Sequence, residues 1–419
     1  MNNPRISRRD LLTATLGTMT AALMPAQAQV LANRRADGLY VYDETSLRQT
    51  VDFRKLIPEP VIVESIDVLE HSERTRFFRV RSTDGAEGVV VGNMRLKETV
   101  SILEHIFRPM LIGTDARDME RTFDDFFRTK RPRGYKYSGL PYFIIQGHCE
   151  LAILDLFGQM TGKTVSELFG RKTRDRIEVY MSRLNRTTTA EEEVDIVAQH
   201  LEASGARAIK VKIGGRMSLN ADAFPGRSEA LVSGIRRRFG DELKLFVDAN
   251  GSYDAATAIE VGRMLESYGV EMYEEPCDWE DFEMTRQVTA ALDLPVSGGE
   301  QDTSLPKWRW MAENHAVDIL QPDIMYNGGF MRTLHVAEIA ARHDIGIAPH
   351  YPRSGPELAP LMHFCASIPN FKGFMEYRAD HLETDFDYEP VIKPVEGMIA
   401  LPTGPGFGVS FESPVLRKG

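Results

Sequence analysis

The sequence predicts an α/β protein in which a modified TIM-type (β/α) barrel follows an α+β domain. From Arg176 onward, short apolar stretches with the length of buried strands alternate with amphipathic helical patterns. There are eight such stretches, as many as a closed parallel barrel has strands. No GxGxxG or P-loop motif follows any of them. An open doubly wound sheet that binds nucleotides is therefore the less favoured alternative.

Composition limits the possible functions. The 419 residues, 42% of them hydrophobic, are ample for a large core and more than one domain. A net charge of −11 and the lack of a long basic run argue against a nucleic-acid surface. The three cysteines, Cys149, Cys277 and Cys365, are far apart and form no CxxC motif. They predict buried free thiols, with neither a disulfide framework nor a thiolate metal site.

The N-terminus has the features of an export signal. Arg8 and Arg9 are followed by the apolar stretch LLTATLGTMTAALM and by PAQA at residues 25–28, which has the form of a cleavage site. These features predict a twin-arginine signal over residues 1–28 and a periplasmic location. The alternative is a short exposed helix with a chance arginine pair. The apolar run is shorter than the roughly 18 residues that span a bilayer, so no stable membrane insertion is expected after signal removal.

Residues 29–60 are a polar N-terminal extension, and residues 61–170 predict the α+β domain. Alternating apolar and polar residues flank Asp84-Gly85, which is a hairpin signal. Three helical patterns follow, and the last of them ends at Gly162: LKETVSILEHIF, DMERTFDDFFRT and FIIQGHCELAILDLFGQMTG.

Residues 171–378 predict the barrel. Its eight strand patterns are, in order, IEVYMS, AIKVKI, LKLFVDA, VEMYEE, LPVSGGE, VDILQPD, IGIAPH and FKGFMEY. Amphipathic helical patterns such as AATAIEVGRMLESYG separate them.

Three acids, Asp248, Glu274 and Glu300, follow successive strands at intervals of 26 residues. Equivalent positions on neighbouring barrel strands converge at the carboxyl end of the sheet. Carboxylates gathered there repel one another unless a cation neutralises them, and hard oxygen ligands suit Mg²⁺ better than Zn²⁺. The trio predicts an Mg²⁺ site, although each acid alone could instead cap the next helix. Asn250 shares the strand face of Asp248 and could orient the metal shell or its water.

Candidate acid and base groups end other strands. In IKVKIGG, Lys210 and Lys212 share one strand face. If that face is the barrel interior, the charge of Lys210 favours the neutral, basic form of Lys212. The alternative is a pair of solvated lysines on an edge strand. Asp323 and His350 end consecutive strands, where a carboxylate can fix the imidazole tautomer, and Glu376 ends the last strand.

The joint pattern resembles the enolase superfamily and, within it, the mandelate racemase subgroup. The resemblance runs from about residue 61 to the C-terminus. It rests on KVK (210–212), DAN (248–250), EEP (274–276), GGE (298–300), QPDIMYNGG (321–329), PH (349–350) and MEY (375–377).

The resemblance implies Mg²⁺ as cofactor and a role for each site residue. The implied metal ligands are Asp248, Glu274 and Glu300. Lys212 is implied as one base, and His350 with Asp323 as the opposing acid/base dyad. Glu376 is implied, in its protonated form, as a hydrogen-bond donor to the substrate carboxylate. Glu275 is not expected to be a metal ligand, because neighbouring strand residues point to opposite faces.

The implied reaction is removal of the proton next to a carboxylate, through an enediolate that Mg²⁺ stabilises. If the substrate has a β-hydroxyl, His350 can protonate it as it leaves, which gives dehydration to a 2-keto-3-deoxy acid. Without a leaving group, the opposite base returns a proton, which gives racemisation or epimerisation. Dehydration of an aldonic or aldaric sugar acid is favoured because such dehydratases form the larger share of the subgroup. A non-catalytic exported binding protein is the third alternative.

The resemblance also predicts where specificity lies. Residues 84–95 and 131–142 are expected to close over the substrate. Arg353 and Ser354 could reach a distal hydroxyl or a second carboxylate of the substrate. Residues 379–419 are expected to return to the N-terminal domain and complete it as a capping domain. A homo-oligomer is expected because such assemblies are common in the superfamily.

Overall fold

A computed structural model of the chain describes residues 40–43, 48–130, 133–380 and 384–411. The predicted export signal, residues 1–28, lies outside the described residues. The predicted fold class is confirmed: an α+β domain precedes a curled parallel sheet of eight strands.

The α+β domain is built on an antiparallel meander. Two short strands precede the meander and pair with each other, β1 (Tyr40–Asp43) and β2 (Arg48–Val51). The meander consists of β3 (Val63–Glu70), β4 (Arg76–Ser82) and β5 (Glu87–Val91). The predicted hairpin joins β4 and β5, and Gly85 takes the left-handed conformation there, with φ +90°.

Helices complete this domain. They are α1 (Leu96–Ile102), α2 (Arg108–Leu111), α3 (Met119–Arg128), α4 (Leu140–Thr161) and α5 (Val165–Leu168). Helix α4 ends at Gly162, as predicted, with φ +66°. It is long and apolar enough to cross a membrane, but 89% of its apolar window is buried in the protein. We therefore interpret α4 as the core helix of the domain.

The second domain is a parallel barrel. Its strands are β6 (Arg176–Ser182), β7 (Ala208–Lys212), β8 (Lys244–Asp248), β9 (Met272–Glu274), β10 (Val296–Gly298), β11 (Ile319–Leu320), β12 (Gly346–Ile347) and β13 (Phe374–Arg378). From β6 to β12 each strand pairs in parallel with the next one, and β13 returns to pair with β6. A parallel bridge between Ile347 and Phe371, just before β13, links the two remaining edges. The strands therefore surround one interior.

Amphipathic helices alternate with these strands. They are α6 (Ala190–Ser204), α7 (Arg227–Phe239), α8 (Ala255–Ser267), α9 (Phe282–Ala291), α10 (Leu305–Glu313), α11 (Phe330–Arg342) and α12 (Ala359–Ser367). Helix α6 begins with a capping box in which Thr189 and Glu192 exchange side-chain and backbone hydrogen bonds. All three cysteines are buried and free, as predicted.

The C-terminal segment contacts both domains. It contains β14 (Tyr388–Glu389), β15 (Met398–Ala400) and β16 (Ser410–Phe411). Strand β15 pairs antiparallel with β6 of the barrel. Phe386 packs on Phe77 of β4 with ring centroids 4.9 Å apart, and the Phe407 N–H donates to Asp155 of α4 at 2.9 Å. The segment thus ties the α+β domain to the barrel.

Candidate active site

The barrel interior changes from apolar to polar along its strands. An apolar floor is formed by Tyr180, Ala208, Phe246, Met272, Ile319 and Ala348. Alternate residues of a strand share one face, so the next inward position lies two residues further along each strand. Buried polar residues occupy these positions: Ser182, Lys210, Asp248, Glu274, Gln321 and His350. The carboxyl end of the barrel is therefore a charged site above an apolar base.

The three predicted metal-ligating acids lie together at this end. One carboxylate oxygen from each of Asp248, Glu274 and Glu300 lies within 4.8 Å of the other two, and all three residues are buried. Glu274 Oε1 is buried and accepts no hydrogen bond from the described residues. An unused buried carboxylate oxygen in a group of three acids fits a hard divalent cation such as Mg²⁺. The donor set therefore suits the metal that the resemblance implies.

Lys210 is a fixed cation behind the acids. Its Nζ lies 2.7 Å from Glu274 Oε2, 2.9 Å from Glu376 Oε1 and 5.2 Å from the centroid of the Tyr180 ring. Burial alone would lower the pKa of Lys210, but Glu274 and Glu376 raise it well above its usual value. Lys210 therefore stays charged and offsets part of the negative charge of the site.

Lys212 faces the acids from one side. It lies one inward position beyond Lys210 in β7, and its Nζ is in direct contact with Asp248 Oδ2. Burial would raise the pKa of Asp248, but the positive charges of Lys212 and Lys210 lower it below its usual range. Asp248 is therefore ionised, as a metal ligand must be.

Asn250 and Arg186 orient the Asp248 carboxylate. The backbone N–H of Asn250 donates to Asp248 Oδ1 at 2.7 Å, and its Nδ2 donates to Oδ2 at 3.1 Å. Arg186 Nη2 donates to Asn250 Oδ1 at 2.9 Å and to the Asp248 carbonyl at 3.3 Å. Because the arginine bonds the amide oxygen, the amide nitrogen faces the carboxylate. The sequence did not predict Arg186 as a site residue, because it lies in the loop after β6 and belongs to none of the recognised motifs.

Glu275 is not among the three acids that could share a metal ion, but it does not lie on the opposite face from them. Asn250 Nδ2 also donates to Glu275 Oε2 at 3.3 Å, so this carboxylate borders the cluster. Strand β9 ends at Glu274, and Glu275 has a left-handed backbone with φ +41°. The alternation of strand residues no longer applies there. Burial and the charges of Glu300 and Asp248 raise the pKa of Glu275 well above its usual value.

His350 and Asp323 form a pair on the other side of the acids. His350 Nδ1 lies 2.9 Å from Asp323 Oδ2, and Asp323 Oδ1 accepts the backbone N–H groups of Met325 and Tyr326 at 2.8 and 3.0 Å. The carboxylate is thereby held as the acceptor for Nδ1–H. His350 Nε2 lies 3.1 Å from Glu300 Oε2. Burial disfavours the imidazolium, but Glu300 and Asp323 raise the pKa of His350 to about 9.

Glu376 accepts hydrogen bonds from the described residues, whereas the resemblance implies a protonated donor to the substrate carboxylate. Its Oε1 accepts from Ser182 Oγ at 2.7 Å and contacts Lys210 Nζ, and its Oε2 accepts from the Tyr351 N–H at 2.8 Å. Burial would raise the pKa of Glu376, but the charges of Lys210 and His350 lower it to about 2. The side chain is therefore an ionised group that anchors Lys210 and the loop after β12.

Arg353 lies outside this cluster. Its Nε pairs with Glu357 Oε2 at 3.2 Å, and its guanidinium carbon lies 5.5 Å from the centroid of the Tyr351 ring. It lines a separate cavity nearer the surface. All the other predicted site residues therefore lie together in one cluster, and Arg353 lies outside it.

Two further contacts at the site were not predicted. Gln321 Nε2 donates to Glu274 Oε2 at 2.8 Å, and its place two residues before Asp323 on the same strand face is a signal that could have revealed it. Arg95 of the α+β domain contacts the Tyr326 hydroxyl, and the Tyr326 ring lies 6.1 Å from that of His350. Arg95 is the last residue of the predicted 84–95 region, but its partner cannot be read from spacing.

Known proteins resemble this chain in sequence and in structure. The family model described as Enolase C-terminal domain-like matches residues 192–415, which is more than half of the chain. D-galactarolactone cycloisomerase of Agrobacterium fabrum is 27% identical over 74% of this chain and 81% of its own length. Arabinonate dehydratase of Saccharolobus solfataricus is 27% identical over 75% of this chain and 82% of its own length. A crystal structure of a protein of Roseobacter denitrificans, provisionally named a racemase, is 32% identical with a TM-score of 0.79, covering 85% of this chain and 97% of that chain.

Proposed function

The chain belongs to the enolase superfamily, and on that premise we propose that it is an Mg²⁺-dependent enzyme that removes the proton next to a substrate carboxylate. The reaction we favour is dehydration of an aldonic or aldaric sugar acid to a 2-keto-3-deoxy acid. The names of the two curated relatives, an arabinonate dehydratase and a galactarolactone cycloisomerase, support sugar acids as the substrate class.

One observation carries this proposal. The buried acids form a row that runs from Asp248, in contact with Lys212, through Glu274 to Glu300, which lies 3.1 Å from His350 Nε2. A carboxylate substrate placed at this row has a proton-transfer group on either side. Such an arrangement serves the removal of a proton and the delivery of another one.

Asp248, Glu274 and Glu300 would hold the Mg²⁺. The bound cation supplies positive charge beside the substrate carboxylate, where negative charge grows as the α-proton leaves. Asn250 and Arg186 hold Asp248 in a fixed orientation, so the site needs little rearrangement.

The chain's own side chains move the protons. In its neutral form, Lys212 Nζ is placed to take the α-proton from one face of the substrate. Asp323 holds His350 Nδ1–H, so Nε2 is the nitrogen that exchanges a proton with the substrate. His350 can donate this proton to the β-hydroxyl, which leaves as water. The resulting enol takes up a proton at C3, loses the proton of its C2 hydroxyl and becomes the 2-keto acid.

A racemase or epimerase is the second candidate. The same two groups, Lys212 and His350, would exchange protons on opposite faces of a substrate without a β-leaving group. The name of the Roseobacter relative supports this alternative.

We also propose export and self-association. The pair Arg8 and Arg9 at the start of residues 1–28 supports export by the twin-arginine route. Fusing residues 1–28 to a reporter tests this, because replacing both arginines by lysine should retain the reporter in the cytoplasm. Membership of a superfamily rich in homo-oligomers supports self-association, and light scattering gives the mass of the particle.

A substrate screen in D₂O tests the catalytic proposal. The Mg²⁺-loaded protein is incubated with aldonic and aldaric acids, and both 2-keto acid formation and exchange of the α-proton are recorded. Keto acid identifies a dehydratase, whereas exchange with inversion and without keto acid identifies a racemase or epimerase. Neither signal with any acid would refute the proposal and favour a protein that binds its ligand without turnover.

A further inference from the structure

The cavity that Arg353 lines lies at the mouth of the barrel. Its volume is about 330 Å³, within the usual range for small-ligand pockets. The α+β domain contributes residues 73–76, in the turn before β4, and residues of the 92–97 stretch after β5. The barrel contributes residues of the loop after β12 and Arg378 at the end of β13. The C-terminal segment contributes residues 384–386. The cavity is therefore formed where the two domains and the C-terminal segment meet.

Arg378 connects this cavity to the acid cluster. It lies two residues after Glu376 in β13, so the two side chains share one face of the strand. At a strand rise of about 3.3 Å per residue, its Cα lies about 7 Å beyond that of Glu376 toward the mouth. Its backbone N–H donates to the Arg353 carbonyl at 2.9 Å, which joins it to the loop after β12. Arg378 is therefore the next residue after Glu376 on the inward face of β13, toward the mouth of the barrel.

The cavity is basic in an acidic protein. Three acidic side chains line it, against five basic ones: Arg74, Arg76, Lys97, Arg353 and Arg378. The whole chain carries a net charge of −11. Glu357 and Arg353 neutralise each other, because they pair at 3.2 Å. The lining therefore has two more basic than acidic side chains.

Arg74 and Arg378 are the cations without a fixed partner. Arg378 Nε is buried and has no hydrogen-bond partner among the described residues. Arg74 is exposed in the turn before β4 and forms no ion pair within the described part of the chain. Burial and the nearby charge of Arg353 lower the pKa of Arg378, as expected for an incompletely neutralised cation. The two arginines come from different domains and line the same space.

We infer that this cavity binds a second anionic group, carried by the end of the substrate remote from the reacting carboxylate, and that Arg74 and Arg378 contact that group. The inference rests on the proposed function and narrows its substrate class. It favours a sugar acid with an anionic group at both ends over an aldonic acid that ends in a hydroxymethyl group. A guanidinium binds carboxylate and phosphate in the same bidentate manner. The second group is therefore the terminal carboxylate of an aldaric acid or the phosphate of a 6-phosphorylated aldonic acid.

Matched substrates separate these possibilities. An aldonic acid, its aldaric acid and its 6-phosphate share their configuration at the internal carbons and differ only at the terminal group. We expect kcat/KM for one of the two dianionic compounds to exceed that for the aldonic acid by about ten- to a hundredfold, the effect of a charge-assisted hydrogen bond. Which of the two is preferred identifies carboxylate or phosphate as the second group.

Arginine variants test the assignment of residues. Arg378→Leu and Arg74→Leu should each lower the ratio of kcat/KM for the dianionic acid to kcat/KM for the aldonic acid. Arg378→Lys should retain only part of this ratio, because lysine lacks the planar guanidinium that binds an anionic group in a bidentate manner. Arg74→Leu lies in an exposed turn, so it tests the inference even if Arg378→Leu fails to fold. Arg121→Leu is the matched control: its side chain is 82% exposed on α3, and the ratio should not change.

Two results would overturn the inference. One is a ratio at or below one in the unaltered protein, and the other is a ratio that Arg74→Leu and every Arg378 variant that folds leave unchanged. The proposed function survives either result if any sugar acid forms a 2-keto acid or exchanges its α-proton. Neither signal with any acid refutes the proposed function and the inference together.

Discussion

Replacing Asp323 by asparagine should disable His350 without changing the shape of the site. Asp323 Oδ1 accepts two backbone N–H groups at 2.8 and 3.0 Å. An asparagine must keep its oxygen there, so its amide nitrogen takes the position of Oδ2, 2.9 Å from His350 Nδ1. The amide then donates to Nδ1, and His350 carries its proton at Nε2. With its proton on Nε2, neutral His350 has no lone pair on that nitrogen, so Nε2 cannot accept a proton from the substrate.

The structure sets the size of this effect. Loss of a hydrogen bond to a charged partner costs about 1.5–3 kcal/mol, or roughly 10- to 150-fold in kcat/KM. The wrong tautomer raises the loss to about 10⁴-fold where a His–Asp pair acts as the base. We therefore expect Asp323→Asn to lower kcat/KM by at least about tenfold and by up to about 10⁴-fold, with Mg²⁺ affinity retained because no metal-ligating acid is changed.

The assay is steady-state dehydration of the best substrate from the D₂O screen, together with α-proton exchange. Asp195→Asn is the matched control, because Asp195 is 64% exposed on the outer helix α6 and should leave both rates unchanged. A folded Asp323→Asn protein with kcat/KM within about threefold of the unaltered enzyme would refute the role of His350 as a proton-transfer group.

Three other perturbations follow from the geometry. Lys210→Met leaves the carboxylates of Glu274 and Glu376 without their shared buried cation. This change should lower the free energy of unfolding, measured in urea, by about 3–5 kcal/mol. A loss of stability below about 1 kcal/mol would contradict the ion-pair assignment. Glu300→Gln should weaken Mg²⁺ binding in calorimetry and abolish the thermal stabilisation by Mg²⁺, and unchanged Mg²⁺ affinity would exclude Glu300 as a ligand. Burial raises the pKa of Glu150 to about 8, so folding favours its protonated form, and its contribution to stability falls as pH rises from about 4.5 through 8. Glu150→Gln, which can still accept the Met331 N–H, should therefore match the unaltered protein at pH 5 and exceed it by up to about 4 kcal/mol at pH 9 in urea unfolding. Equal pH dependence of the two proteins would contradict this.

Strand alternation accounts for most of the site that the sequence predicts. Lys210 and Lys212 are two residues apart in a short apolar strand, and the period of two places both on the barrel interior. Asn250 lies beyond the end of β8 and reaches Asp248 from a left-handed backbone with φ +44°. The same period fails at Glu275, because the chain leaves the strand after Glu274 and a left-handed backbone turns the side chain toward the acids. A sequence shows where a strand pattern stops but not the backbone angle that follows it.

Long-range partners account for what the sequence does not reveal. The ionised state of Glu376 depends on Lys210, 166 positions earlier in the chain, and on its distance of 2.9 Å in the folded barrel. Arg186 acts through Asn250 across two neighbouring loops. Neither contact leaves a periodic signal, because the spacing of the two partners reflects the lengths of intervening helices and loops. The basic residues of the cavity could not be predicted from the sequence for the same reason. Arg74 and Arg378 line one cavity only when the two domains pack together.

The most direct test of the central claim is stereospecific α-proton exchange in D₂O. With Mg²⁺ present, mass spectrometry should show deuterium at C2 of the recovered sugar acid or at C3 of the 2-keto acid, and removal of Mg²⁺ with EDTA should stop this incorporation. Lys212→Ala and His350→Ala should each lose exchange of a substrate with one configuration at C2 while keeping some exchange of the other, because the two groups lie on opposite sides of the acids. Exchange that persists without Mg²⁺, or that both variants retain for both configurations, would contradict the account.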